Sequence, residues 1–423
     1  MNQVPANWPA QAQRIFDEVR ELTFDGVGIT RESYGPGENA TIDYLKALAE
    51  RAGLIVSFDR AANLIIDMPG SGNAPALWCG SHLDSVPQGG NFDGLAGVVA
   101  GLLCMTRLKE EGVHLSRPFR LIGIRGEESA WFGKAYMGSG ALFGKLLPED
   151  LALRSHRTGQ TLAECMTAVG ADVGSIQQGA SLIDGQSIAG YIELHIEQGP
   201  VMVERQWSTA IVSGIRGNVR HNRIRCVGEA GHSGAVPRNI RHDAAFAVAY
   251  LITRLDQHWQ ALLEQGKDLV VTFGVVGTNP QEHAVSRIPG EVDFSFEVRS
   301  ECKLMLEQFY QLMRDECTAI TKERGVEFVF DRRVLTHPAL MDGSIVERLL
   351  AISKRLGLPS EKIASGAGHD ASVFANAGIP SAMIFIRNEH GSHNPREAME
   401  SDDFIAGTNL LYHAIMELQP PAK

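Results

Sequence analysis

Four apolar runs of strand length in this chain each lead into a loop carrying an imidazole or a carboxylate. Leu77–Cys79 precedes His82 in Gly80-Ser81-His82-Leu83-Asp84, and Phe119–Ile124 precedes the pair Glu127-Glu128. Tyr191–Leu194 delivers His195 in Glu193-Leu194-His195-Ile196-Glu197-Gln198-Gly199-Pro200, and Ser381–Ile386 precedes His393 in Gly391-Ser392-His393-Asn394-Pro395. Such runs, alternating with helical patterns, predict an α/β sheet whose sites form beyond the carboxyl ends of its strands. A fifth candidate ligand, Asp93 in Asn91-Phe92-Asp93-Gly94, precedes a helical run over Leu95–Leu108, where its carboxylate is also placed to cap the helix.

A different rhythm fills the stretch from Gly214 to Val334. Strands are expected at Arg223–Val227, Leu269–Val276, Glu291–Val298 and Val326–Phe330, with helices at Asp243–Leu263 and Cys302–Arg324. Strand–helix–strand–strand–helix–strand is the order of a ferredoxin-like α+β unit. It falls between His195 and His393, so it reads as an insertion. The expected domains are 1–213 with 334–423, an α/β domain carrying the candidate ligands, and 214–333, the insert.

Composition removes several classes of function. With 423 residues and 44% hydrophobic content, the chain buries a large core, and two domains are the natural expectation. The net charge of -11, with no block of lysine or arginine, argues against nucleic acid as a partner. The opening Met1-Asn2-Gln3-Val4-Pro5 has no charged-then-apolar signal, and no apolar stretch is long enough to span a membrane. Six scattered cysteines without a C-x-x-C read as thiols in a reducing cytoplasm. A cytoplasmic protein acting on a small molecule is expected.

Each candidate ligand has a plain alternative: a turn for His82, an N-cap for Asp93, a solvated acidic loop for Glu127-Glu128, a surface position for His393. Together they make a stronger case. His82-x-Asp84 places a carboxylate where the second imidazole N–H of a metal ligand needs one. Adjacent Glu127 and Glu128 on a turn allow one to ligate while the other faces a bound water. Three histidines and two carboxylates suit two divalent ions: zinc, manganese, cobalt or nickel. Two ions sharing a carboxylate and a water can hydrolyse an inert C–N bond. His195-Ile196-Glu197 matches the H-x-E of zinc deaminases, but no P-C-x-x-C follows.

These motifs, with Gly366-Ala367-Gly368-His369-Asp370-Ala371 and His232-Ser233-Gly234 followed by Pro237, Arg241 and Asp243, resemble the dinuclear-metal aminoacylase and carboxypeptidase superfamily. They are most similar to its amidase branch of N-carbamoyl-L-amino-acid hydrolases, allantoate amidohydrolases and β-ureidopropionases, over roughly residues 40–404. The resemblance implies a mixed-sheet α/β/α catalytic domain of the zinc-peptidase type and an inserted ferredoxin-like α+β lid domain that forms a homodimer. It implies one ion held by His82, Asp93 and His195, another by Asp93, Glu128 and His393, with Asp93 bridging and Asp84 behind His82. Glu127 would be general base and then acid, and His232, usually from the partner subunit, would stabilise the oxyanion. Gln198 and Arg299 would touch substrate, with Asn218, Ser286, Gly368 and Trp131 as further candidates. Two positions depart from the branch: Trp131 stands where an arginine is usual, and Ser286 where an asparagine is usual. The implied reaction is hydrolysis of a ureido group to amine, carbon dioxide and ammonia. The alternatives are an amide or aromatic-amine C–N hydrolase on the same scaffold and an inactive binding protein.

Overall fold

The computed structural model describes residues 4–70 and 74–419, so Met1–Gln3 of the opening read above lie outside it. Two compact units are present, residues 1–213 with 340–423 and residues 214–339.

The first unit is built on a nine-stranded sheet. Its order runs Ile55–Phe58, Leu64–Asp67, Phe119–Ile124, Ala76–His82, Ile188–Ile196, Ser381–Ile386, Thr209–Ile215 and Ala339–Leu340, with Lys362–Ser365 also on Thr209–Ile215. The four strands expected to deliver ligands are adjacent and mutually parallel: Phe119–Ile124 on Ala76–His82, Ala76–His82 on Ile188–Ile196, and Ile188–Ile196 on Ser381–Ile386. The flanking pairings to Leu64–Asp67 and Thr209–Ile215 are antiparallel, which makes the sheet mixed.

Both faces of the sheet are covered, as its apolar strands require. Successive side chains of Ile188–Ile196 point to opposite faces. On one, Tyr191 stacks on Phe374 of the helix Asp370–Asn376 at 4.0 Å, and Glu193 accepts the Ala371 N–H at 2.7 Å. On the other, Leu194 meets the helices Leu95–Glu110 and Ser401–Glu417, which approach closely through Gly97 and Gly407. None of the helices among the described residues is long and apolar enough to cross a membrane.

The second unit is an antiparallel sheet in the order Val276–Gly277, Glu291–Ser300, Gly217–Val227, Glu327–Phe330. Glu291–Ser300 alternates between buried and partly exposed residues, and its Phe294 and Phe296 pack with Leu251, Leu255, Phe309 and Ile320 from the helices Ala244–Glu264 and Lys303–Arg324. Three details differ from the sequence reading. The first strand starts at Gly217 rather than Arg223. Leu269–Val276 is broken into Val270–Thr272 and Val276–Gly277, where the Val275 N–H turns to the Ser295 hydroxyl. Val334–Thr336 pairs with Gly217–Val227, which carries this unit past 333.

Candidate metal centre

The parallel register decides where the ligands meet. Cys79 is level with Ile192, so His82 comes level with His195 three residues on; Ile124 is level with His82 and Phe385 with His195. Both histidines lie within strand ends rather than in the loops beyond. Glu127-Glu128 and His393 follow on the turns after the outer two strands. Asp93 enters from the turn before the helix Leu95–Glu110. Its side chain makes no cap: the N-cap residue is Gly94, at φ 69°, with no side-chain hydrogen bond. A Cβ at Gly94 would lie 2.5 Å from both Nδ1 and the carbonyl oxygen of His82, so glycine is what lets this turn approach the strand.

Two ligand triads result, His82–Asp93–His195 and Asp93–Glu128–His393, each with ligand atoms within 4.8 Å of one another. Asp93 Oδ1 is 3.4 Å from His82 Nε2 and 3.2 Å from His195 Nε2. Asp93 Oδ2 is 3.4 Å from His393 Nε2, which is 3.2 Å from Glu128 Oε1. The two oxygens of one carboxylate thus face different triads.

The spacing fits a metal. Bonds of about 2.0–2.1 Å in a tetrahedron put neighbouring ligand atoms about 3.3 Å apart. Asp93 Oδ1 is buried with no hydrogen-bond partner among the described residues, an arrangement that is costly unless a cation faces it. The two triads fit a dinuclear divalent-metal site with Asp93 shared. Burial alone would keep Asp93 from ionising, but His195, His393 and His82 outweigh it and hold its carboxyl well below the usual range.

The surrounding groups fix these ligands. Asp84 was expected only behind His82, whose Nδ1 meets the Asp84 main-chain carbonyl at 3.0 Å and lies 3.4 Å from its Oδ1. It also accepts the backbone N–H groups of Glu127 and Glu128, both at 3.0 Å, and the Ser33 hydroxyl at 2.5 Å. One buried carboxylate therefore ties the His82 strand to the Glu127-Glu128 turn. His195 Nδ1 meets the Ile196 carbonyl at 2.9 Å, leaving Nε2 for the site. Burial lifts the Glu127 carboxyl well above the ordinary glutamate range; Glu128, Asp370 and Asp84 add to this and His82 opposes it. Cations in the triads would favour its ionised form.

Three further residues hold the site together, and two of them, Arg31 and Glu397, had no signal in the sequence. Arg31 is fully buried and donates to the carbonyls of Leu83 (2.8 Å) and Asp93 (3.0 Å). Asn388 accepts the Gln198 N–H and donates to the Gly391 carbonyl, joining the His195 and His393 loops. Glu397 accepts the N–H groups of Phe92 and Asp93. The partners of Arg31 and Glu397 named here lie tens to hundreds of residues away, so only the fold reveals them.

Other candidates of this unit are placed as follows. Gln198, at φ 64°, donates from Nε2 to Asp93 Oδ2 at 2.8 Å, and its buried Oε1 has no partner among the described residues. His369 is buried, edge-on to His195 at 4.4 Å, with Nε2 on the Ser365 hydroxyl. A Cβ on Gly368 would collide with the Tyr136 hydroxyl. Trp131, a candidate for touching substrate, is 4% exposed, and its indole N–H donates to the Ser85 carbonyl at 2.7 Å.

In the second unit the candidates form two pairs. Asn218 lies opposite Arg299 across the strands Gly217–Val227 and Glu291–Ser300. Asn218 Oδ1 is buried without a partner among the described residues, while Arg299 donates to Glu297 at 3.0 and 3.1 Å. His232 lies beyond the other end of this strand pair, opposite Arg287, and the Ser286 carbonyl accepts the Ser233 N–H. The Gly234 N–H donates to His232 Nδ1 at 3.2 Å, so the neutral ring carries its proton on Nε2. Arg241 donates to the carbonyls of Ser233 (2.5 Å) and Val236 (3.0 Å) and so holds the loop.

Comparison with known proteins agrees with this chemistry. Residues 78–417 match the model for Peptidase family M20/M25/M40. The chain is 32% identical over 415 residues to an N-carbamoyl-L-amino acid amidohydrolase of Geobacillus stearothermophilus, covering 96% of this chain and 98% of the relative. It is 30% identical over 393 residues to an allantoate amidohydrolase of Escherichia coli, covering 92% and 93%. A hydantoinase/carbamoylase family amidase from Burkholderia ambifaria superposes with a TM-score of 0.86 at 28% identity, covering 100% of this chain and 98% of that one. The chain therefore belongs to peptidase family M20/M25/M40, in the amidase branch these relatives represent, and is a metal-dependent amidohydrolase.

Proposed function

We propose that this enzyme hydrolyses the C–N bond of a ureido group, with an N-carbamoyl-L-amino acid or a related ureido acid as substrate. The observation that carries this is the shared carboxylate: Asp93 turns one oxygen to the His82–His195 pair and the other to His393. Ions bound there, zinc or else manganese, cobalt or nickel, would polarise the substrate carbonyl and acidify a water. Glu127, the adjacent acid left without a ligand role, takes a proton from that water and returns it to the leaving nitrogen. His232 Nε2–H donates to the oxygen on which charge develops. Arg299 receives the substrate carboxylate, in competition with Glu297, and the unpartnered oxygen of Asn218 beside it accepts an N–H.

The insert supports a homodimer for a geometric reason. Asn218 and Arg299 sit at one end of this long antiparallel strand pair; Val227 and Glu291 close the other, with His232 beyond them. At about 3.3 Å per residue the two ends are roughly 30 Å apart. That exceeds the length of an N-carbamoyl amino acid, so one chain cannot bring both ends to one substrate. A second chain supplying His232 resolves this.

The test is product analysis. Ammonia release from N-carbamoyl-L-amino acids is the expected result. Amine release from N-acyl amino acids without ammonia from the ureido compounds would point instead to an amide hydrolase.

A further inference from the structure

Asp93 is held from behind by an acid that the chemistry above does not use. Glu397 is buried, 8% exposed, and packs so tightly against Gly90 that a Cβ there would collide with its carboxyl group. Its Oε1 accepts the backbone N–H of Phe92 at 2.8 Å and that of Asp93 at 3.3 Å. Its Oε2 is 2.6 Å from the Ser392 hydroxyl, which is in turn 2.5 Å from Asp93 Oδ2. Glu397 therefore grips the bridging residue by its backbone and shares with it the Ser392 hydroxyl, whose one proton lies between Glu397 Oε2 and Asp93 Oδ2. Ser392 also adjoins His393, so the same contacts seat two members of one triad that no strand carries.

The two triads depend unequally on this support. His82 and His195 are strand residues with side chains 2% and 0% exposed. His393 stands on a loop at φ 60° with its side chain 51% exposed. The sheet holds the first pair whatever the Asp93 turn does. His393 has no strand to hold it; its loop is held by side chains, with Asn388 on the Gly391 carbonyl and Asn394 on the His390 and Ser392 carbonyls, so a loosened Asp93 is felt chiefly at the Glu128–His393 side.

We infer that Glu397, acting through Ser392 and two backbone N–H groups, is the positioning residue that fixes the Asp93 bridge and sets the affinity for the ion on the Glu128–His393 side. The inference rests on the two-ion reading of the site. Residues that orient metal ligands typically alter affinity by about 10–100-fold when removed.

Chelator-stripped wild type, Glu397→Ala, Ser392→Ala, the double variant and Glu397→Gln are titrated with Zn²⁺ alone by calorimetry, alongside thermal unfolding of each stripped protein. The expected result is a second binding event weakened by about 10–100-fold in both alanine variants, with the first event unchanged. The double variant should be no worse than the more affected single one, because both act along one chain of contacts. Glu397→Gln should restore affinity: its carbonyl can accept the same two N–H groups and its amide can donate to Ser392. Wild-type affinity for both ions in the alanine variants would overturn the inference. So would equal weakening of both events together with a lowered unfolding temperature, since that marks a general structural role. A wild type binding only one ion would overturn the two-ion reading itself, an outcome read before any variant is considered.

Discussion

Replacing Asp84 by asparagine changes almost no volume, yet it should loosen the centre of the site. The native carboxylate presents Oδ1 to the Glu127 N–H and Oδ2 to the Glu128 N–H, and Oδ2 also takes the Ser33 hydroxyl. Burial opposes its charge, but His82, Ser33 and the Glu127 N–H outweigh that and keep its carboxyl below the ordinary range. Asparagine keeps one acceptor and turns an NH2 toward the other N–H. The Ser33 hydroxyl can reverse and accept, but a backbone N–H cannot. One buried donor is left unsatisfied, which costs about 1–3 kcal/mol. Asp84→Ala strands both, about 2–6 kcal/mol by the same reckoning. Metal affinity should fall as well, by about 10–100-fold, because His82 loses the charge behind its Nδ1. Denaturant unfolding of the metal-free protein measures the first effect and zinc titration the second. Stability and zinc affinity both equal to wild type in Asp84→Asn would refute the reasoning, since the structure offers those N–H groups no other acceptor at that position.

Four further outcomes are expected. Glu127→Gln should bind metal normally but lose turnover by roughly 10²–10⁴-fold, as for loss of a general acid–base; metal content and kcat measured on the same sample check it. His232→Ala and Glu127→Gln chains, each inactive alone, should recover activity on subunit exchange; no recovery would mean that His232 acts within its own chain. Gly94→Ala should destabilise the protein by more than about 1 kcal/mol and disturb His82, because the new Cβ meets that ring at a positive φ; thermal unfolding and zinc titration report it. Glu38, buried between Arg125 and the Gly126 N–H, is pushed up to about 7 by burial, with Arg125 opposing. Its folded value lies above its unfolded one, so the folded state holds the extra proton between them. Stability from this group is full at acid pH and is lost as pH rises toward about 7, and Glu38→Gln should flatten that slope in pH-dependent denaturation.

The ligands were legible because the features that place them are local. An apolar run marks a buried strand, and a histidine or acid just beyond marks its carboxyl end; four such strands had only to be adjacent and parallel for His82, Glu128, His195 and His393 to converge. Asp93 was legible as a ligand but its cap was not, because Gly94 takes the N-cap position at a positive φ. Trp131 shows the opposite limit. A substitution at a family position drew attention to substrate, whereas packing placed the ring inside with its N–H on Ser85. Arg31 and Glu397 were invisible for a simpler reason: a buried charge declares itself only through its partner, and those partners are fixed by topology, not by spacing. The insert was readable as an α+β unit, yet the break at Phe273–Val275 depends on a single hydroxyl of the neighbouring strand.

The central claim is that two ions sharing Asp93 drive ureido hydrolysis. It is tested most directly by following ammonia release from an N-carbamoyl-L-amino acid while divalent metal is titrated into chelator-stripped enzyme. The account predicts no ammonia from the stripped protein and full activity only when a second equivalent per chain is bound. Ammonia release that persists undiminished in the stripped protein would contradict it.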